Sequence, residues 1–238
     1  MGALGAAGIT FTLAIAEDGS TDGTRDCIRE IQERYPTAVV QTDHEKRGRG
    51  FALRTLWARV EADFYAFSDV DFAADPQFLA EAIRIALEGN PVVTGSRYVP
   101  GARVIRPPLR SLVSQVYNQL VRTLFHDGVH DHQCGLKVFS RAAVRSLLPL
   151  AHEDSWFWDT EILVLAHDTG VAVTEFPVNW VERKTTRTPM VRLFSDFYLH
   201  GTGILRLVGN RRPRRSRRKV ALRGDTASRS SALILPPR

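Results

Sequence analysis

Residues 9–24, with the sequence ITFTLAIAEDGSTDGT, join a run of β-branched and small apolar residues to a cluster of acidic, hydroxyl and glycine residues. The apolar run, residues 9–16, predicts a buried strand. The polar cluster predicts a turn and the start of a helix, which is expected to end before Pro36. The stretch therefore predicts a strand–turn–helix unit with polar side chains at the end of the strand.

The same order of elements repeats along the chain. Further strands are predicted at residues 39–42, 64–68, 92–97, 171–176 and 178–181, and further helices at residues 51–60, 78–87, 109–125, 156–167 and 191–208. Strands that alternate with helices at this spacing predict an α/β fold with a doubly wound, mostly parallel sheet. In such sheets ligands bind beyond the carboxyl ends of the strands. Asp18, Asp69, Asp71 and Arg97 all fall there.

The net charge of +6 is concentrated near the carboxyl terminus. Residues 211–219 contain six arginines and one lysine, and the rest of the chain is close to neutral. After Asn210 the composition changes to Arg, Ser and Pro, which predicts disorder. We therefore divide the chain into a folded domain, residues 1–210, and a basic tail, residues 211–238.

Composition and spacing exclude several kinds of site. Cys27 and Cys134 lie far apart and have no histidine at ligand spacing, so a zinc site is not expected. No apolar run approaches the roughly 18 residues of a membrane span, and a signal peptide is not expected. The basic tail lacks interleaved aromatic residues, so specific nucleic-acid recognition is not expected either.

Asp69-Val70-Asp71 stands directly after the predicted strand 64–68. Two carboxylates separated by one residue can hold a hard divalent cation such as Mg²⁺ or Mn²⁺, which takes oxygen ligands and bridges to phosphates. The tripeptide alone is more typical of a solvated turn. Its position at the end of a strand favours the metal-binding interpretation.

Asp18 ends the first strand within Glu17-Asp18-Gly19-Ser20. A carboxylate there can accept a hydrogen bond from a base or a ribose, and the backbone amides that follow can face a polar ligand. For Ser20 and the next residues, helix capping is the better interpretation. For Asp18 we favour donor binding.

Five motifs in this order, EDGSTDGT, DVD, GSR, DHQCGLKVFSR and WFWDTEIL, resemble family 2 glycosyltransferases, and within them the dolichol-phosphate mannose and dolichyl-phosphate glucose synthase group. The resemblance covers about residues 9–208. It implies a GT-A fold, an inverting mechanism, a metal-bound nucleotide sugar such as UDP-glucose or GDP-mannose, and a polyprenyl or dolichyl phosphate acceptor.

The resemblance also assigns roles to individual residues. It implies that Asp18 contacts the nucleotide base and that Asp69 and Asp71 form the metal and donor motif. Arg97, Arg110 and Ser114 match residues that grip the acceptor phosphate, and guanidinium and hydroxyl groups suit that anion. The remaining matches are Arg183 and Lys184 over the diphosphate, Asp131 and Gln133 in the acceptor-side loop, and the acidic pair Asp159 and Glu161.

Asp159 is a candidate catalytic residue, but a lipid phosphate is already ionised near neutral pH. Positioning and charge neutralisation are therefore expected to matter more than a general base. We expect Asp159 and Glu161 to orient other groups.

Three features depart from the family pattern. The chain begins at what would be the second strand, so either its start is misassigned or the fold is N-terminally truncated, with an incomplete donor pocket. Glu17 stands where the family has Asp, and Ala73 stands where a glutamine commonly follows the DxD motif, which removes a potential metal ligand.

Peripheral attachment to the inner, cytoplasmic face of a membrane is a further expectation. The predicted amphipathic helix 191–208 and the basic run 211–219 together resemble a two-part anchor for anionic lipids. A core-packing helix with a solvated tail is the alternative. Two alternatives to the whole assignment remain, namely a family 2 enzyme with a glycan or protein acceptor, and an inactive homologue that acts as a binding module.

Overall fold

The computed structural model describes Gly5, residues 8–182 and residues 190–210, of which 190–198 and 210 are described by their backbone alone. The strands are β1 (Ala14–Asp18), β2 (Val39–Asp43), β3 (Phe64–Ser68), β4 (Val92–Ser96), β5 (Arg103–Ile105), β6 (Leu136–Ser140), β7 (Val173–Pro177) and β8 (Asn179–Val181). The helices are α1 (Thr24–Arg34), α2 (Arg49–Arg59), α3 (Phe78–Leu87), α4 (Pro108–Phe125), α5 (Arg141–Leu147), α6 (Trp158–Thr169) and α7 (Met190–Asn210), with a short 3₁₀ turn at Leu148–Leu150.

The strands form three hydrogen-bonded groups. The largest has the order β3-β6-β4-β7, and two pairs, β1-β2 and β5-β8, complete the described strands. The pairs β1-β2, β4-β7 and β5-β8 are parallel, whereas β6 runs antiparallel to both of its neighbours, β3 and β4. No ladder among the described residues joins β1-β2 to the four-stranded sheet.

An aromatic core connects α2 and α6 to the four-stranded sheet. Trp57 and Trp158 pack edge to face with ring centroids 5.8 Å apart, and each also contacts Phe67 and Phe139 at 5.4 to 6.4 Å. Such aromatic contacts add to the stabilisation that burial of apolar area provides. The core therefore fixes the last turn of α2 and the amino-terminal end of α6 against β3 and β6.

The α/β fold predicted from the sequence is confirmed, and most element boundaries agree within a few residues. The first strand is shorter than predicted, because residues 9–13 lie outside it and β1 begins at Ala14. The pattern missed β5, β6 and α5. Composition also gives no sign that β6 is antiparallel, because a buried apolar strand has the same composition in either direction.

The helix predicted at 191–208 is present as α7. No described helix combines the length and apolar character that a membrane span requires. Arg183, Lys184 and the basic tail 211–238 lie outside the described residues, so the predictions for them remain predictions.

Candidate functional site

Charged residues follow two strands at the same edge of the main sheet. β3 and β4 both pair antiparallel with β6, which lies between them, so their carboxyl ends point the same way. Asp69 follows β3, and Arg97 follows β4. Because neighbouring strands are about 4.8 Å apart, the two positions are separated by about 10 Å across the start of β6.

The first group of charges is the acidic cluster, which consists of Asp69, Asp71 and Asp159 with the cations Arg49 and Lys137. Arg49 opens α2 and bridges two of the carboxylates. Its guanidinium group donates to Asp159 Oδ2 at 2.6 Å and also to Asp69 Oδ1. Its charge lies 3.8 Å from the ring centroid of Trp156, a cation–π distance.

Lys137 lies on β6 and is fully buried at the base of the acidic cluster. Its Nζ donates to Asp159 Oδ1 at 3.0 Å and to the carbonyl oxygen of Cys134 at 2.6 Å. Asp159 therefore accepts hydrogen bonds from two cations. A buried carboxylate held in this way is suited to orienting those cations.

Asp71 is exposed and has no cationic partner among the described residues. One of its oxygens accepts a hydrogen bond from the backbone N–H of Ala73 at 3.1 Å, and the other has no partner in the part of the chain that the structure describes. The turn that presents it is strained, since Phe72 has φ 48°, which is uncommon for a bulky side chain.

Asp69 titrates far from its ordinary range. Burial raises the pKa of Asp69 from its ordinary value of 3.8 to about 6, and the positive charge of Arg49 opposes this rise. The nearby carboxylates of Asp159 and Asp71 raise the pKa further. The acidic cluster thus concentrates more negative charge than its two cations neutralise.

Asp18, which we predicted to bind the donor, holds a neighbouring loop in the structure. Its carboxylate accepts hydrogen bonds from the backbone N–H groups of Arg47 and Gly48 at 2.7 to 3.0 Å. The two segments approach closely, because a Cβ atom on Gly19 would lie 2.4 Å from the backbone nitrogen of Lys46. Asp18 thereby positions the loop that leads into Arg49.

The second group is the basic cluster, which consists of Arg97, Arg106 and Arg110 with the carboxylates Asp131 and Glu182. Arg97 is buried and makes a two-pronged ion pair with Asp131, with Nε–Oδ2 and Nη2–Oδ1 distances of 2.7 Å. Its Nη2 also lies 3.4 Å from Ser114 Oγ. Burial alone would raise the pKa of Asp131, but the charge and hydrogen bonds of Arg97 hold it below its usual range.

Glu182 joins the two other arginines. Arg106 Nε donates to Glu182 Oε2 at 2.9 Å, and Arg110 donates to Glu182 Oε1. Burial lowers the pKa of Arg106, as does the charge of Arg97. Arg106 Nη1 is buried and has no hydrogen-bond partner among the described residues. An unused donor of this kind suits an incoming anion.

Most of the residues predicted from the sequence are therefore brought together. Asp69, Asp71 and Asp159 share one cluster, and Arg97, Ser114 and Arg110 share the other. Glu161 accepts from the backbone N–H groups of His152 and Glu153 at 2.9 to 3.1 Å, as expected of an orienting residue. Gln133 contacts His200 on α7, with 3.1 Å between their side-chain nitrogens.

The sequence analysis missed four members of these clusters, namely Arg49, Lys137, Arg106 and Glu182. Lys137 lies within the motif DHQCGLKVFSR, and Arg49 lies in the loop before α2, so both positions were visible. Their carboxylate partners could not be identified from the sequence, because those residues are about 20 to 110 positions away in the chain.

The residues present fit a divalent cation that takes most of its ligands from phosphate and water and few from the protein. No group of three or more His, Cys, Asp or Glu side chains suited to a metal occurs in the described part of the chain. Ala73, which replaces the family glutamine, is buried in an apolar cluster and supplies no oxygen. Asp71, with Asp69, would therefore share the ion with phosphate oxygens and water, an arrangement typical of Mg²⁺.

Comparison with known proteins places the chain in a family. The family model described as Glycosyl transferase family 2 matches residues 7–148. The chain is 36% identical over 221 residues to the glycosyltransferase AglD of Haloferax volcanii, and 30% identical over 194 residues to a dolichyl-phosphate beta-glucosyltransferase of Saccharomyces cerevisiae. These alignments cover 90% and 74% of this chain but only 34% and 58% of the two relatives.

The fold is also similar to that of solved structures. Glucosyl-3-phosphoglycerate synthase from Mycobacterium tuberculosis, solved in complex with Mn²⁺, UDP and glucosyl-3-phosphoglycerate, superposes with a TM-score of 0.64 at 19% identity. The superposition covers 86% of this chain and 71% of that one. The GT-A architecture expected from the sequence is thereby confirmed. Since the family model spans more than half of the chain and the architecture agrees with it, the chain belongs to glycosyl transferase family 2.

Proposed function

We propose that the chain transfers a hexose from a nucleotide sugar, UDP-glucose or GDP-mannose, to a polyprenyl or dolichyl phosphate. The observation that supports this proposal most directly is the opposite charge imbalance of the two clusters. The acidic cluster contains three carboxylates and two cations, and the basic cluster contains three guanidinium groups and two carboxylates. One side is suited to a cation and the other to an anion.

The acidic cluster would hold the donor. Asp71 and Asp69 would bind Mg²⁺ or Mn²⁺, which when bound neutralises the charge of the departing nucleoside diphosphate. Arg49 would keep Asp69 in place through the contact they share. Asp18 would act on the donor through the loop that it holds, and Lys184 remains a proposed contact of the diphosphate.

The basic cluster would hold the acceptor phosphate. Arg106 offers a donor without a partner, and Ser114 Oγ lies beside Arg97, so both can turn to an incoming phosphate. A phosphate oxygen would then form the new bond to the anomeric carbon as the bond to the diphosphate breaks. No proton has to be removed from an ionised phosphate, so positioning and charge neutralisation suffice.

A neutral hydroxyl acceptor, as on a glycan or a protein, would need a general base. Asp159, Asp131 and Glu182 are each held by cations, which disfavours that role. Similarity to the dolichyl-phosphate beta-glucosyltransferases of Saccharomyces cerevisiae and Dictyostelium discoideum supports a lipid phosphate as acceptor.

The test is a transfer assay with purified chain, a short-chain polyprenyl phosphate, Mg²⁺ or Mn²⁺, and labelled UDP-glucose and GDP-mannose in parallel. We expect metal-dependent label in the organic phase from one donor. The matching unphosphorylated polyprenol is the control and should stay unlabelled. Label on the polyprenol alone, or none from either donor with a folded chain, would overturn the proposal.

A further inference from the structure

Trp156 differs from the other tryptophans of the chain in its exposure. It is 53% exposed, whereas the other three are at most 8% exposed, namely Trp57, Trp158 and Trp180. A tryptophan side chain offers a large, flat apolar surface and usually covers it with a core or a ligand. A half-exposed indole next to the acidic cluster is therefore suited to a ligand that binds there.

One face of the Trp156 indole is covered by the guanidinium group of Arg49. The charge of Arg49 lies 3.8 Å from the centroid of the ring. Arg49 is itself held in place, because it donates hydrogen bonds to both Asp69 and Asp159. The stack therefore fixes the indole beside the acidic cluster and leaves the rest of its surface to solvent.

The segment that carries Trp156 is fixed on both sides of the ring. Ser155 Oγ accepts a hydrogen bond from the backbone N–H of Phe157 at 3.2 Å and donates one to Glu153 Oε2 at 3.4 Å. Gly50 on α2 approaches the carbonyl oxygen of Glu153 so closely that a Cβ atom would collide with it. A ring presented in one position loses little conformational entropy when a ligand stacks on it.

The surroundings of the indole fit the hexose of a nucleotide sugar better than its base. The hexose is attached directly to the phosphate that a metal at Asp69 and Asp71 would neutralise. The base is separated from that phosphate by a second phosphate and a ribose. Trp156 stacks on the guanidinium group that contacts Asp69, so it lies at the hexose end of the donor. The carboxylates that Arg49 bridges offer hydrogen-bond acceptors to sugar hydroxyls.

We propose that Trp156 is the platform on which the hexose of the donor rests. The flat C–H face of the pyranose ring would stack on the indole while its hydroxyls turn to the carboxylates beside Arg49. The platform then contributes to the binding of the nucleotide sugar and not to the binding of a nucleoside diphosphate without its hexose. The identity of this ligand rests on the proposed function, whereas the contact itself can be measured without any transfer reaction.

The test is acrylamide quenching of tryptophan fluorescence in the full chain with Mn²⁺. UDP-glucose and GDP-mannose are added in parallel, each beside its own nucleoside diphosphate. Because the other tryptophans are buried, the quenchable emission belongs to Trp156, and Trp156→Phe should lose it. We expect the nucleotide sugar that the chain accepts to remove most of the quenching and its nucleoside diphosphate to leave the quenching nearly unchanged.

Calorimetric titration of Trp156→Ala measures the same contact through affinity. This variant should bind the nucleotide sugar about tenfold more weakly, and Trp156→Phe should keep most of the affinity. Binding of the nucleoside diphosphate should not change, because Arg49 keeps both of its ion pairs. The matched control is Tyr35→Ala, which removes a ring stacked on Arg34 just after the far end of α1 and should bind both ligands like the unchanged chain.

Equal losses of affinity for the nucleotide sugar and the nucleoside diphosphate in Trp156→Ala would overturn the proposal, because Trp156 would then act only through Arg49. So would equal protection from quenching by both ligands, or protection by phosphatidylcholine vesicles alone, since the indole would then face the base or a lipid. Protection by a nucleotide sugar in a chain that transfers no sugar would support the platform and count against the proposed reaction alone. Transfer without protection would count against the platform alone.

Discussion

The acidic cluster and the basic cluster are built from the same kinds of ion pair but are left with opposite excess charges. In the first, Asp71 is the exposed carboxylate that neither Arg49 nor Lys137 reaches. In the second, Arg106 keeps a buried N–H group without a partner among the described residues. The difference shows that one edge of a sheet can carry an excess of carboxylates and an excess of guanidinium groups about two strand spacings apart.

The clusters also differ in burial. The pair of Arg97 and Asp131 is almost completely enclosed, whereas Asp71 faces solvent. Substitution in the enclosed pair should therefore lower both stability and activity, whereas substitution of the exposed Asp71 should lower activity alone. The predictions below use that contrast, beginning with the largest expected effect.

Asp71→Asn removes the open negative charge of the acidic cluster while keeping its shape. We expect transfer to fall by about 10²-fold or more, because electrostatic stabilisation at the leaving diphosphate is lost. The free energy of unfolding should hardly change at this exposed position. Asp26→Asn, an exposed carboxylate on α1, is the control and should leave transfer unchanged, and equal effects from both variants would remove the acidic cluster from the mechanism.

Arg97→Met should act on the fold as well as on the reaction. It leaves Asp131 buried without its cation, which typically costs about 3–5 kcal/mol of unfolding free energy. Chemical denaturation measures that loss. The double variant Arg97→Met/Asp131→Leu should recover much of the stability but no transfer, and recovery of transfer as well would show that Arg97 is only structural.

Arg49→Met should shift the pH dependence of transfer. Because burial raises the pKa of Asp69 to about 6, transfer by the unchanged chain should decline as the pH falls below about 6. Arg49 opposes that rise, so its removal should move the decline to higher pH. An unchanged pH profile in Arg49→Met would mean that Asp69 does not control the acid limb.

The contribution of Asp69 to stability should change with pH in the opposite direction to transfer. The folded state binds the proton of Asp69 more tightly than the unfolded state, whose pKa is near 3.8. Its contribution to stability is therefore fully present below about 3.8 and is lost as the pH rises through about 6.

The smallest expected effect is on thiol labelling. Burial raises the pKa of Cys134 to about 12, and this thiol lies between the two clusters, whereas Cys27 is exposed on α1. A maleimide should modify Cys27 and leave Cys134 unmodified in the folded chain. Rapid labelling of Cys134, measured by mass spectrometry with Cys27→Ser as the reference, would mean that the buried region around Cys134 opens in solution.

Sequence patterns predicted the fold class, the order of most elements, and most residues of both clusters. They succeeded where a local signal exists, as for Asp69 and Asp71 at the end of an apolar strand. They failed where the partner is distant, as for Arg49 with Asp159, 110 positions apart. They also did not distinguish the exposed Trp156 from the buried Trp158, because the motif WFWDTEIL gives no sign of which indole faces the core.

The central claim is that the two clusters bind different ligands independently, and calorimetric titration of two variants tests it most directly. Asp71→Asn and Arg110→Met would each be titrated with Mn²⁺ and nucleoside diphosphate, and separately with a short-chain prenyl phosphate. The account predicts that Asp71→Asn loses the nucleotide and keeps the prenyl phosphate, and that Arg110→Met does the reverse. Loss of both ligands from either folded variant, or of neither ligand from both, would contradict it.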